Sequence, residues 1–425
     1  MLNTRLQGLL VLLFVSRGIR EHFAAAFVLN AAGRNERSLR LRGTHRTVPT
    51  MKVLCVGAAG VDFLARVAAY PEPDDKIRTE SLSIEGGGNA GNTCTALSRL
   101  GVKCGIITCV GDDSNGQTIL NELREDGIDT SLVLTYPGVP SPFTYVIVDE
   151  AAKTRTCIHT PCPKEMGAND VADDMFRRDA GIRWVHSDAR QPAAACRLAE
   201  LAKEAGVTIS LDAEKDREGL PELLALADVL FTNSRYPKQF APSSSPSSSP
   251  NAPVDSSFLH GMRHLSAKCP TRRLVCSTLG ERGAVMLMPC PFHPSLHVDG
   301  PSPLRSHVPV KLRYATVTTD EIALVDWCDE PPAVDALSGE GCHAAVHCSA
   351  WPIDESEIVD TTGAGDAFIG GVIFGLLRGW CVERVLVWGG LIAHEKLKHQ
   401  GARSGLPRLD NEKLAELLGQ FGRAK

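Results

Sequence analysis

The chain has 425 residues, 45 basic and 50 acidic, with 43% apolar side chains, which is enough for a large buried core. Residues 1–50 hold eight Arg, no Lys and only Glu21 and Glu36 as acids, which leaves 37 basic against 48 acidic residues beyond them. A body of net charge about −11 is a poor surface for nucleic acid, and the longest apolar run near the start, Leu9–Val15, is too short to cross a bilayer.

Residues 1–50, Arg-rich and acid-poor with Leu, Val, Phe and Ala between the arginines, read as an organelle-targeting segment for a chloroplast or mitochondrion. A secretory signal ending near Ala24-Ala25-Ala26 and a cytoplasmic location are the alternatives. The fourteen cysteines show no C-x-x-C spacing, so free and mostly buried thiols are expected and import is preferred over secretion.

Met51–Gly57 is an apolar run of strand length followed by small residues and Asp62. It reads as the first buried strand of an α/β sheet with Asp62 at its carboxyl end, where such sheets bind ligands. A polar connector, Tyr70–Arg78, leads to an alternating strand near 77–84. Glu85-Gly86-Gly87-Gly88-Asn89-Ala90-Gly91-Asn92 then opens a helix stopped by Gly101. Three glycines leave backbone bare, and Asn89 and Asn92 sit one turn apart with paired donors and acceptors. That pairing suits vicinal hydroxyls of a sugar; helix capping by Asn explains it equally well. Cys104–Val110 reads as a strand and Gly116–Glu125 as a helix. Short strands at 131–135, 143–148 and 154–159 read, together with 79–84, as a small separate sheet able to act as a lid.

Alternation of strand and helix resumes from Arg183 to Met288 and predicts a mostly parallel sheet covered by helices on both faces. Within it, Ser277-Thr278-Leu279-Gly280-Glu281-Arg282-Gly283 is a glycine turn placed to take a nucleotide. Two segments stand outside the pattern. Residues 241–253 are Ser/Pro-rich and read as a disordered loop. Residues 289–352 read as a long surface insertion whose His293, His297, Cys342, His343, His347 and Cys348 match no zinc spacing. A helix is expected at 411–425.

The densest signal is Asp360-Thr361-Thr362-Gly363-Ala364-Gly365-Asp366-Ala367-Phe368. A tight turn opening a helix leaves backbone N–H groups without intrahelical acceptors, which makes an anion seat. Asp366 stands where a carboxylate reaches the same volume. A turn plus a dipole-stabilising Asp accounts for this stretch alone, but not for the glycine cluster upstream.

Taken together, Gly86–Asn92, the strand leading to Gly111-Asp112-Asp113, Thr278–Gly283 and Asp360–Phe368 resemble the ribokinase-like (PfkB) carbohydrate kinases, most of all the ketohexokinase-like branch. The resemblance implies a three-layer sandwich with a mostly parallel central sheet and a β lid, spanning about residues 51–410. It implies ATP as donor and a sugar hydroxyl as acceptor, with Mg²⁺ held through the ATP phosphates. Asp366 would be the general base and Gly363, Ala364 and Gly365 the anion hole. Asp62, Asp74, Gly88, Asn89, Asn92 and Arg155 would face the sugar, and Thr278, Gly280, Gly283 and Asn233 the nucleotide. Asp188 and Arg190 align loosely with sugar-facing groups. Where many members carry Asn-x-x-Glu near the metal, this chain reads Asn233-Ser234-Arg235-Tyr236. A nucleoside acceptor, with Phe143 and Tyr145 stacking the base, and a non-catalytic organellar scaffold are the alternatives. The lid also offers a route to a homodimer.

Overall fold

The computed structural model describes residues 52–152, 154–178, 181–241, 253–268, 274–289, 308–317, 327–329 and 342–423. The expected targeting segment, nearly all of the 241–253 loop, and His293 and His297 lie outside them.

The elements run β1 (Lys52–Val56), β2 (Gly60–Val67), β3 (Ser81–Gly87), α1 (Asn89–Arg99), β4 (Lys103–Gly111), α2 (Ser114–Glu125), β5 (Val133–Tyr136), β6 (Phe143–Asp149), β7 (Thr154–Thr160) and β8 (Ile182–Ser187). They continue through α3 (Pro192–Glu204), β9 (Thr208–Ala213), α4 (Leu220–Leu226), β10 (Val229–Thr232), α5 (Ser256–Ala267), β11 (Leu274–Thr278) and β12 (Ala284–Pro289). The last are β13 (Leu312–Val317), β14 (His343–Cys348), α6 (Ala364–Leu377), α7 (Val382–Leu397) and α8 (Glu412–Arg423). Ten strands form one sheet in the order β13-β14-β12-β11-β10-β9-β8-β1-β4-β5. The run from β11 to β5 is parallel, and β12, β14 and β13 add antiparallel pairs at one edge.

The central strands are buried on both sides, and the two-residue period sorts their side chains into two cores. In β1, Val53 and Cys55 join one core with Leu97 of α1, Phe368 of α6 and Leu386 of α7. Leu54 and Val56 join the other with Leu198 of α3, Leu223 of α4 and Phe258 of α5. Helices on both faces of one sheet give the three-layer α/β sandwich that the alternation of elements predicts.

Four strands, β3-β2-β6-β7, make the separate small sheet, and its membership corrects the sequence reading in two places. Residues 133–136 do not belong to it: β5 pairs in parallel with β4, Thr108 opposite Val133, because Ile106 N–H already binds Asp129 O at 3.2 Å and zips the segment onto the main sheet. Its centre is β2, antiparallel to β3 and parallel to β6, so Asp62 stands on a lid strand rather than at the end of β1. Residues 60–67 are buried too irregularly along the strand to show the alternation by which a strand is read.

The 289–352 segment is also more than a surface insertion. It supplies β13 and β14 to the main sheet, in register from Leu312 opposite Cys348 to Val317 opposite His343. His343, His347 and Cys348 are buried strand residues, and His347 Nε2 lies 2.8 Å from Arg282 O. Their spacing is that of a buried strand paired on both sides. The expected C-terminal helix is α8, whose Leu414, Leu417 and Phe421 enter the first core.

Candidate active site

Two helix starts meet at the carboxyl ends of the parallel strands. At α6, Gly363 is the N-cap in the left-handed region, φ 75, a conformation that costs L side chains about 1–2 kcal/mol. The turn ahead of it is braced. Asp360 Oδ1 accepts from Thr362 N at 2.8 Å and Oδ2 from Gly401 N at 2.9 Å, while buried Lys396 donates to Asp360 O at 2.8 Å. Ala364 N–H is committed to Thr361 O at 3.3 Å. Among the described residues, the N–H groups of Gly363, Gly365 and Asp366 have no protein acceptor, and a Cβ on Gly365 would meet nothing within 4 Å. Unpartnered donors around a bare α-carbon facing open space are what a phosphate needs.

At α1, the glycines are crowded instead. Gly88, the N-cap, has φ 90, and a Cβ there would lie 2.6 Å from Ala58 O. One on Gly87 would lie 2.3 Å from the Asp62 carboxylate. Asp188 ties the start of this helix to the exit from β1, accepting from Ala58 N at 2.9 Å and Ala90 N at 3.1 Å, with Arg190 N on its other oxygen at 2.9 Å. That carboxylate is committed to backbone.

Asp366 joins the two starts. It is buried, and its Oδ2 accepts from Asn92 Nδ2 at 2.8 Å. Burial above all, with smaller pushes from the carboxylates of Glu214, Asp188 and Asp62 and against the pull of the Asn92 amide, raises its carboxyl to about 8. Asn89 Nδ2 reaches Asp212 Oδ2 at 3.4 Å. Asp212, at the end of β9, is raised by burial first and then by Glu214 and Asp366.

A cleft of about 320 Å³, counting its mouth to solvent, opens here and is lined by Asp212, Glu214, Phe231, Thr232, Asn233 and Thr278 together with Gly365, Asp366 and others. Its walls are the ends of β9, β10 and β11, the edge at which open α/β sheets bind ligands. Gly365 and Asp366 stand in the same cleft as Thr278 and Asn233, so the anion seat and the expected nucleotide residues share one volume.

The family model described as "pfkB family carbohydrate kinase" matches residues 50–287 and 336–409, well over half of the chain. The chain belongs to the PfkB family of carbohydrate kinases. It is 24% identical to mouse (Mus musculus) ketohexokinase over 82% of this chain and 97% of that one. It is 33% identical to an ATP-dependent ribose-1-phosphate kinase of Halopiger xanaduensis, over 44% of this chain and 62% of that one. Among solved structures, Arabidopsis thaliana ribokinase complexed with ribose and ATP superposes with a TM-score of 0.60 at 17% identity, covering 87% of this chain and 99% of that one. A ribokinase from Giardia lamblia gives 0.63 at 16%, covering 88% and 99%. This is a phosphotransferase fold with a separate lid sheet.

Within this PfkB chain, the structure gathers Asp62, Gly88, Asn89, Asn92, Gly363, Ala364, Gly365 and Asp366 at one place. Arg155 on β7 donates to Thr361 Oγ1, which sets a lid arginine against the turn that opens α6. Asp74 stands apart: it is exposed in the connector after β2 with φ 70, and among the described residues no hydrogen bond or ion pair joins it to the cleft. Gly283 serves packing, since a Cβ there would lie 2.0 Å from Cys348 O, whereas Gly280 faces open space. Asn233 does line the cleft, and its Oδ1 accepts from Arg235 N and Tyr236 N at 2.9 Å. Tyr236, where the expected Glu is missing, is buried and donates to Asp216 Oδ1 at 2.9 Å. Sequence reasoning missed Asp212 and Glu214. Their signal was the position at the carboxyl end of a buried strand, the same one used for Asp62. It also missed Arg403, for which the sequence carries no local signal.

Proposed function

We propose that the chain transfers the γ-phosphoryl group of ATP to a hydroxyl of a small sugar, a ketose or a pentose. The observation that carries this reading is the 2.8 Å contact between Asn92 and Asp366: it brings the base and the sugar-reading helix to the open anion turn. The acceptor oxygen forms a bond to γ-phosphorus, the bond to the β-phosphate oxygen breaks, ADP leaves, and the hydroxyl proton passes to Asp366. Such transfer passes through a loose transition state, so the protein's task is alignment and charge compensation. The free N–H groups of Gly363, Gly365 and Asp366 would meet charge on the transferring oxygens, each such donor being worth roughly 3 kcal/mol in comparable sites. Because burial raises Asp366, the base is ionised in a growing fraction of molecules up to about pH 8, and kcat/KM rises over that range.

The cleft also fits a magnesium ion carried by ATP. Asp212, Glu214 and Asn233 line it, and buried Thr232 Oγ1 has no partner among the described residues. An oxygen-rich wall of this kind suits an ion that keeps most of its waters and takes one or two carboxylates. Glu214 would then take the part of the glutamate missing from Asn233-Ser234-Arg235-Tyr236. The ion would neutralise charge on the β and γ oxygens.

Two alternatives lose support. Phe143 and Tyr145 share a face of the lid with Phe63, opposite to Asp62, by the register Val61–Phe143 and Phe63–Tyr145, so they do not offer a base-stacking platform over the cleft. A scaffold has no use for a buried carboxylate at an open anion turn. The outer face of the lid carries Ile84, Phe63, Tyr145 and Ile158 in one registered row, three of them exposed. An exposed apolar row of this kind supports a homodimer through the lid as part of the same reading.

An ADP-release assay over ketoses, pentoses, sugar phosphates and nucleosides tests the reading. Turnover on a sugar by wild type and its loss in Asp366→Asn are expected; turnover equal in both proteins removes Asp366 from the mechanism.

A further inference from the structure

Arg403 is buried, lies outside the recognisable motifs, and reaches both halves of the site. Its Nη2 donates to Gly87 O, its Nε donates to Asn92 Oδ1 at 3.3 Å, and its Nη1 lies 3.7 Å from Glu122 Oε2. The glycines around it make the room. A Cβ on Gly91 would lie 2.3 Å from Nη2, and one on Gly86 would lie 2.6 Å from Nη1. The same short segment grips the phosphate turn, because Gly401 N–H binds Asp360 Oδ2 at 2.9 Å and a Cβ on Gly363 would lie 2.9 Å from Ala402.

We propose that Arg403 is a positioning residue for phosphoryl transfer: it locks the Asn92 side-chain amide in the orientation that presents its NH2 group to Asp366. A guanidinium carries donors and no acceptor, so the amide atom facing it must be the oxygen. The nitrogen then has to face the other way, where Asp366 Oδ2 waits at 2.8 Å. A flipped amide would set oxygen against a carboxylate and nitrogen against a guanidinium, losing both hydrogen bonds and leaving buried groups unpaired. The three contacts keep the guanidinium from swinging, and residues 401–403 thereby fix the distance between the anion turn and the hydroxyl-reading helix. Misplacement of reacting groups by about 1 Å can cost on the order of a hundredfold in rate.

This inference rests on Asp366 being the base, and a double-mutant cycle separates the two. Arg403→Lys keeps the charge and loses the forked donor set. Relative to folded wild type, kcat is expected to fall about tenfold or more, with KM for ATP within about twofold. In an Asn92→Ala background, the same Arg403→Lys change is expected to alter kcat by less than about twofold, because the residue it acts through is gone. An Arg403 effect of equal size in both backgrounds, or a folded Arg403→Lys enzyme with wild-type kcat, overturns the inference. Should Arg403→Lys not fold, the cycle is run with Gly91→Ala, which displaces the guanidinium while leaving Arg403 and Asn92 intact. The same coupling to Asn92 is expected, and its absence overturns the inference. Wild type that turns over no acceptor sinks the kinase reading itself, whereas active wild type with uncoupled mutations sinks only the role of Arg403.

Discussion

The two glycine turns of the site look alike in sequence and differ in what surrounds them. Around Gly86, Gly87, Gly88 and Gly91, the space a side chain would take is already filled, by Glu122 and Arg403, by Asp62, by Ala58 O and by Arg403 respectively. At Gly365 that space is empty, and among the described residues the N–H groups of Gly363, Gly365 and Asp366 have no protein acceptor. Glycine in the first turn lets the protein pack against itself; glycine in the second lets a ligand approach. Substitutions in the first should therefore cost stability, with activity following where they displace Arg403, and a side chain at Gly365 should cost activity.

The largest expected effect is at the hinge of this comparison. Asp366→Asn should lower kcat by a factor of about 10² to 10⁴ at pH 8, the usual range for removing a general base, measured by ADP release on the best acceptor. Next comes Gly365→Ala, which should cut kcat/KM for ATP by on the order of 10² if the methyl group displaces one oxyanion donor contact, while the melting temperature stays within about 2 °C of wild type. An unimpaired Gly365→Ala enzyme would mean that the open space is not the phosphate seat.

Gly91→Ala should do the reverse at the level of folding and lose about 2–3 kcal/mol, a typical cost of overpacking, read from denaturant midpoints. Asp366 also opposes folding. Its pKa of about 8 lies above the ordinary 3.8, so the folded protein binds this proton more tightly than the unfolded chain. Stability is then full below about pH 4 and falls as pH rises toward 8. Asp366→Asn removes the penalty and should raise the melting temperature by roughly 2–6 °C at pH 8, for a gain of about 1–3 kcal/mol. At pH 5 the gain should be smaller. The same gain at both pH values would show that ionisation is not its source. The smallest effect on catalysis belongs to the lid. Ile84→Lys should leave turnover within about twofold yet shift the sedimentation coefficient to that of a monomer, because a charge in an apolar contact disfavours association.

The fold was legible where periodicity is strong. The βα alternation from Arg183 to Met288 and the helix after Gly363 are visible because buried strands read as continuous apolar runs and helix starts carry glycine and acid. β2 was hidden, since a lid strand buried unevenly on both faces shows neither alternation nor a continuous run. β14 was hidden because it lies in a Pro-, His- and Cys-rich stretch that read as an insertion, and its pairing with β12 and β13 became visible only in the sheet. Asp62 was placed on the wrong element, at the end of β1 rather than on β2.

The sequence by itself determined the anion turn, because a Gly-Ala-Gly-Asp start to a helix leaves N–H donors free wherever it lies in space. It also determined the sandwich, because the order of strands and helices permits few topologies. Which residues complete the site was a matter of tertiary structure alone. Asp212 and Glu214 come from a strand end some 150 residues before Asp366, and Arg403 arrives from beyond α7 to fix an asparagine more than 300 residues upstream. Arg403 leaves no local signature, since hydrogen bonds between such distant segments exist only after the sheet has brought them together.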